Sequence, residues 1–68
     1  MKLNDWKIHE NIKSLPDLAK RLGVAERINP ARLVHNWLTG RAIPNKKHMQ
    51  IIMKATNGRV TPIDFYSQ

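Results

Sequence analysis

Apolar residues recur along this chain at the three- and four-residue spacing of amphipathic helices, in short segments separated by helix start and stop signals. The clearest segment begins at Ser14, a favoured N-cap residue, with Pro16 in the first turn and Asp17 three residues after the cap. One apolar stripe follows at positions i, i+3, i+4 and i+7, formed by Leu15, Leu18, Ala19 and Leu22. Gly23 suits the left-handed residue at which many helices end, so the pattern predicts a helix between Ser14 and Gly23.

A second amphipathic segment precedes this one near the start of the chain. Asn4 is a good N-cap residue, and Ile8 and Ile12 fall on one face of a helix, which Trp6 can anchor. We expect this first helix to begin after Asn4 and to end near Lys13.

A third helix is predicted from Pro30 to Thr39. Asn29 is a favoured cap, Pro30 suits the first helical position, and Gly40 suits the end of the helix. The turn between the second and third helices, residues 24–29, is then about six residues long.

The rest of the chain predicts a fourth helix and a final turn. Asn45 is expected to cap the fourth helix, and Asn57 with Gly58 to end it. Its inner face is predicted to hold Met49, Ile52, Met53 and Thr56.

A short turn follows, in which Thr61 is expected to act as a cap before Pro62 and Asp64, and Phe65 and Tyr66 are expected to fold back onto the core. The sequence therefore predicts an all-α fold of four to five short helices.

The third predicted helix has two chemically different faces. At 100° per residue, the inward face is predicted to hold Val34, Trp37 and Leu38. The opposite face carries polar side chains and no acid: Arg32, His35, Asn36 and Thr39. Arginine is the usual partner of guanine and asparagine of adenine, and Ala31 at the edge suits a thymine methyl group. A polar outward face is common on any exposed helix, but the order of a short capped helix followed by one with a buried tryptophan favours a helix–turn–helix with this face in the major groove of DNA.

The charge balance points to the same kind of partner. The formal net charge is +7 over 68 residues, which favours a polyanion: DNA, RNA or an anionic membrane surface. No apolar run approaches the roughly 18 residues of a membrane span, and the start of the chain lacks the apolar region of a signal peptide. We expect one domain over 1–68, soluble and cytoplasmic, and associated with the nucleoid through DNA.

The residues that metal sites and active sites require are few. There is no cysteine, which excludes disulfides and cysteine-based zinc sites. The three histidines, His9, His35 and His48, lack the spacing of metal ligands. The five acidic residues are scattered, largely in caps and helix starts, without a visible nucleophile–base pair. We therefore expect no metal, no cofactor and no enzymatic activity.

Two lysines open the fourth predicted helix, where the helix dipole disfavours positive charge. The end of a recognition helix and the start of the next lie against the sugar–phosphate backbone in helix–turn–helix docking, where helix N-termini also bind phosphate. Phosphate contacts are therefore predicted for Thr39, Arg41, Lys46 and Lys47. The simpler alternative is that two lysines on a solvated helix end are only mildly unfavourable.

Three stretches, "LAKRLGV", "VHNWLTGRAIP" and "IIMKATNGRVTPIDF", together resemble the Cro/repressor type of helix–turn–helix, often called XRE. The sequence is most similar to small phage Cro-like proteins and prophage-borne Cro-like antitoxins, over nearly its whole length. The resemblance implies a Cro/lambda-repressor-like fold. It places base contacts at Ala31, Arg32, His35 and Asn36, and phosphate contacts at Arg41, Lys46, Lys47 and, through its backbone, Leu15.

The sequence departs from this family in the turn before the third helix, which is longer than usual. The longer turn can tilt the recognition helix, add a phosphate contact through Arg27, or build part of a dimer surface with Ile28. The glutamine that the family often has in the first turn of the recognition helix is replaced by Ala31.

Three hypotheses follow. The first is a sequence-specific transcriptional regulator, a repressor that binds a palindromic operator in double-stranded DNA as a homodimer, with one recognition helix in each half-site. Apolar groups left over for the dimer surface are expected at Leu33, Ile51 or Phe65. The second is a protein-binding module, such as an antitoxin or phage regulator, with the long turn and the C-terminal "FYSQ" as its surfaces. The third is an architectural or RNA-binding protein that binds through charge alone.

Overall fold

Residues 1–26 and 28–66 are described by a computed structural model, in which they form helices and no strand. The all-α prediction is therefore confirmed for this part of the chain. In order, the helices are α1 (Leu3–His9), α2 (Leu15–Leu22), α3 (Pro30–Thr39), α4 (Lys46–Ala55) and α5 (Pro62–Tyr66).

Helix α2 has both ends that its sequence predicts. The Ser14 hydroxyl accepts a hydrogen bond from the Asp17 amide at 3.2 Å. This bond satisfies one of the first-turn amides that have no acceptor within the helix. Gly23 is left-handed with φ of 86°, and the Val24 amide donates back to the Ala19 carbonyl at 2.9 Å. Both ends are therefore closed by hydrogen bonds.

Replacing Ser14 with alanine is expected to lower the free energy of unfolding by about 1 kcal/mol, because an amide in the first turn of α2 loses its acceptor. Ser14→Asp keeps an acceptor at this position and is expected to remain close to the parent. Urea denaturation followed by far-UV circular dichroism measures both variants. Equal losses in the two would show that the Ser14 side chain stabilises α2 by something other than capping.

Helix α1 differs from its prediction at both ends. It begins at Leu3, after Lys2, so Asn4 lies within the helix and is not its cap. It ends at His9, because Asn11 is left-handed with φ of 59° and the Ile12 amide turns back to a carbonyl of the helix.

This early end also separates the two isoleucines that were expected to share a face of α1. Ile12 is buried beyond the helix end, whereas Ile8 is 66% exposed. Trp6 anchors the helix in the core, as predicted.

Two predicted caps hold their positions without a capping side chain. Asn29 is the N-cap residue of α3, as predicted, but it is left-handed with φ of 52° and its side chain makes no capping hydrogen bond. Before α5, the roles are reversed: the Asp64 carboxylate accepts from the Thr61 amide at 2.8 Å and from the Thr61 hydroxyl at 3.0 Å. The amide hydrogen bond is the main reason why the pKa of Asp64 is below its usual value.

One cluster of buried apolar residues joins all five helices and their turns: Leu3, Trp6, Ile12, Leu18, Ala19, Leu22, Val24, Val34, Trp37, Met49, Ile52, Val60 and Phe65. Phe65 is therefore part of the core and is not available for a dimer surface. Tyr66 beside it was predicted to fold back onto the core, but it is 71% exposed. Leu33 and Ile51 are partly buried against the cluster.

Helix α3 packs against other helices through one of its faces. Its most extensive contacts are with α2, and it also packs against α1, while α2 packs against α4. The orientation of α3 is therefore determined by the core.

Candidate nucleic-acid interface

Helix α3 presents one apolar and one polar face, as its sequence predicts. Val34 and Trp37 are almost completely buried, with 0% and 1% of their surface exposed. On the other side, Arg32, His35 and Thr39 are exposed and Asn36 is partly buried. Ala31, at the edge between the two faces, is also partly buried.

The polar face of α3 carries no acidic residue, and the acids that form ion pairs lie elsewhere. Glu10 pairs with Arg21 at 2.7 Å. Hydrogen bonds with His9 and then Arg21 lower the pKa of Glu10 from its ordinary value. Arg32 forms no ion pair with an acid among residues 1–26 and 28–66. Its guanidinium is therefore available to an anionic or hydrogen-bond-accepting partner.

An open groove runs along the start of α3. It is lined by Ile28, Asn29, Arg32, Leu33 and Asn36. These residues combine two apolar side chains with one guanidinium and two amides. Such a surface offers hydrogen-bond donors and apolar contact to the same partner, which is what the edges of base pairs in the major groove require.

The first turn of α4 carries the predicted phosphate-binding lysines. Lys46 and Lys47 are both exposed, and this turn contains no acid. The Asn45 side chain caps the helix by accepting from the His48 amide at 2.8 Å. Because that amide is already bonded within the protein, a phosphate here would meet the lysine side chains and the amides of the two residues before His48.

The other predicted phosphate contacts differ in availability. Arg41 is exposed directly after Gly40, the left-handed residue that ends α3. The Thr39 hydroxyl already donates to the His35 carbonyl at 3.0 Å, so it would have to rotate to reach a phosphate. Leu15 is the first residue of α2, where backbone amides lack helical partners, and Arg27 lies outside the described residues.

His48 is a buried residue that the predicted inner face of α4 did not include. It is only 9% exposed, and its ring lies 5.4 Å from the Trp37 ring, between centroids, at an angle of 58°. The signal was its position four residues before Ile52, which puts it on the inner face of α4. This contact joins the apolar side of α3 to the turn that carries Lys46 and Lys47.

Within 1–26 and 28–66, no group of three His, Cys, Asp or Glu side chains is placed to hold a metal ion. The helices of the same ranges are all too short or too polar to cross a membrane.

No protein-family model, curated protein or solved structure matches this chain.

Proposed function

We propose that the chain is a sequence-specific DNA-binding transcriptional regulator, a repressor of the Cro/repressor helix–turn–helix kind. In this proposal α2 and α3 are the two helices of the motif, and α3 enters the major groove. Base edges are contacted by Ala31, Arg32, His35 and Asn36. Phosphates are contacted around Leu15, Arg41, Lys46 and Lys47. Such a regulator acts on DNA in the cytoplasm.

The observation that carries this proposal is the two-sided character of α3. Burial of Val34 and Trp37 orients the helix, and what it then exposes is a guanidinium, an imidazole and an amide without an acid. Its ten residues span about 15 Å, and its diameter fits the major groove, which is about 12 Å wide. The net charge of +7 gives a favourable field for a polyanion.

The size of the molecule is compatible with binding as a homodimer. Its Cα atoms extend over 25 × 24 × 21 Å, which is less than one helical turn of B-DNA, about 34 Å. One copy therefore spans a single half-site. A second copy, related by a two-fold axis, places another α3 one turn further along and requires a palindromic operator.

An in vitro selection from random duplexes, at two salt concentrations, tests the proposal. On the selected duplex, Arg32→Ala or Asn36→Ala is expected to cost about 1–3 kcal/mol of binding free energy, with little change on random DNA. Lys46→Ala is the control, because loss of a phosphate contact weakens binding to both duplexes alike. Equal losses for Arg32→Ala on both duplexes would disprove its base contact, and selection of no motif would disprove sequence-specific binding.

A protein-binding module is the second candidate function, and one observation favours it. The side of α4 that meets α5 has an apolar groove whose lining includes Met49, Met53 and Tyr66, and Ile63 on α5 is 70% exposed. The hypothesis of a protein-binding antitoxin or phage regulator then predicts that a partner from the native host binds at this groove and that Tyr66→Asp abolishes capture. Of the C-terminal residues in this hypothesis, Ser67 and Gln68 lie outside the described residues.

A further inference from the structure

The turn before α3 buries one of its large aliphatic residues and exposes the other. Val24 is 2% exposed and belongs to the core, whereas Ile28 is 92% exposed, the highest value among the large hydrophobic residues that are described. Burial of Val24 is enough to attach the turn to the core. The exposed isoleucine is therefore not explained by packing of the free protein.

The position of Ile28 is set relative to α3. It lies two residues before Pro30, next to the left-handed Asn29, whose carbonyl accepts from the Leu33 amide at 3.1 Å. A β-branched side chain has few χ1 rotamers, so Ile28 loses little side-chain entropy when it makes a contact. Ile28 lines the same groove as Arg32 and Asn36.

We infer that Ile28 determines part of the sequence specificity by contacting the 5-methyl group of a thymine in the major groove, beside the base contacted by Arg32. This inference rests on the proposed function. The N-terminal end of a recognition helix is the end that approaches the base edges, and Ile28 lies at that end of α3. The apolar group on the major-groove edge of unmodified DNA is the thymine methyl.

The chemistry of the groove favours this partner over a second copy of the chain. Arg32 is a cation without an ionic partner among the described acids, and it lies in the same groove as Ile28. Two copies of this groove facing each other would bring two such arginines together. A DNA duplex instead supplies acceptor atoms to the guanidinium and a methyl group to the isoleucine from neighbouring base pairs.

The test uses the full chain and its selected duplex, in which thymines are replaced one at a time by deoxyuridine, which lacks only the methyl group. At one thymine of each half-site, we expect the parent to lose about fourfold in affinity, the factor for burial of one methylene-sized group. In Ile28→Ala, thymine and deoxyuridine are expected to bind equally at that position. Ile8→Ala, also at an exposed isoleucine, is the matched control and should keep the parent's discrimination.

Each other outcome has a distinct meaning. Selection of a motif in which no thymine methyl couples to residue 28 overturns this inference and leaves the proposed function standing. Unchanged methyl discrimination with weaker self-association of Ile28→Ala in sedimentation overturns it in favour of a dimer contact. Selection of no motif overturns the proposed function, and this inference with it. Circular dichroism verifies that Ile28→Ala is folded.

Discussion

Replacing Trp37 with alanine is expected to leave most of the chain unfolded at 25 °C. Only 1% of the Trp37 surface is exposed, and truncation of a buried aromatic residue to alanine costs about 3–5 kcal/mol. The core of a domain this small rarely supplies more than about 3–5 kcal/mol. The variant should therefore lose much of its helical circular dichroism and its cooperative urea transition.

The chain offers matched controls for this prediction. Trp37→Phe keeps most of the apolar volume and should be folded but less stable. Tyr66→Ala removes an aromatic ring that is 71% exposed and should stay within about 0.5 kcal/mol of the parent. Trp6, the other tryptophan, remains as a fluorescent reporter in the Trp37 variants. A cooperative transition for Trp37→Ala within 1 kcal/mol of the parent would contradict the central place of Trp37 in the core.

The helices that the sequence predicted well have strong local signals at both ends. Helix α2 begins after the Ser14 cap and ends at Gly23, and α3 has its predicted bounds, Pro30 to Thr39. Such capping interactions involve only a few neighbouring residues and do not depend on the rest of the fold. The same reasoning predicted the buried and exposed faces of α3, because 3.6-residue periodicity fixes which side chains share a face.

The errors arise where the tertiary structure overrides local preference. Leu3 is buried, so α1 starts before Asn4 despite the capping preference of that asparagine. Asn11 and Asn29 adopt left-handed conformations, which asparagine tolerates better than most residues, so its presence alone did not distinguish a cap from a helix end or a bend.

The long turn is the part of the candidate site that periodicity could not predict. A turn has no repeating pattern, so helical periodicity does not distinguish the buried Val24 from the exposed Ile28. His48 was missed because histidine is often exposed, although its position four residues before Ile52 places it on the inner face of α4, where its ring lies against Trp37.

A variant in which Arg41, Lys46 and Lys47 are all replaced by glutamine is expected to bind DNA of any sequence more weakly. If each residue neutralises one phosphate, the slope of log K against log salt becomes shallower by about 0.9 per residue. For the three residues of one protomer, this corresponds to roughly a 500-fold loss of affinity per half-site at 0.1 M salt, relative to 1 M salt. Fluorescence anisotropy with the selected duplex and a random duplex, over a series of salt concentrations, measures both quantities.

The same substitutions are expected to stabilise the free protein. Lys46 and Lys47 lie in the first turn of α4, where the helix dipole disfavours cations by about 0.3–1 kcal/mol each at low salt. Glutamine removes the charge and has a helix propensity close to that of lysine. Weaker DNA binding together with a higher melting temperature is therefore the expected combination, the first from lost phosphate contacts and the second from the helix dipole.

A control variant separates position from total charge. In this control, Lys20, Lys54 and Arg59 are replaced with glutamine. It lowers the net charge of +7 by the same amount and also removes one arginine and two lysines, all of them exposed. Lys20 and Lys54 lie in the last turns of α2 and α4, where positive charge is favourable, so this variant should be slightly less stable than the parent. If both variants lose affinity and salt dependence equally, the protein binds DNA through the electrostatic field of its net charge. The start of α4 then makes no specific phosphate contacts.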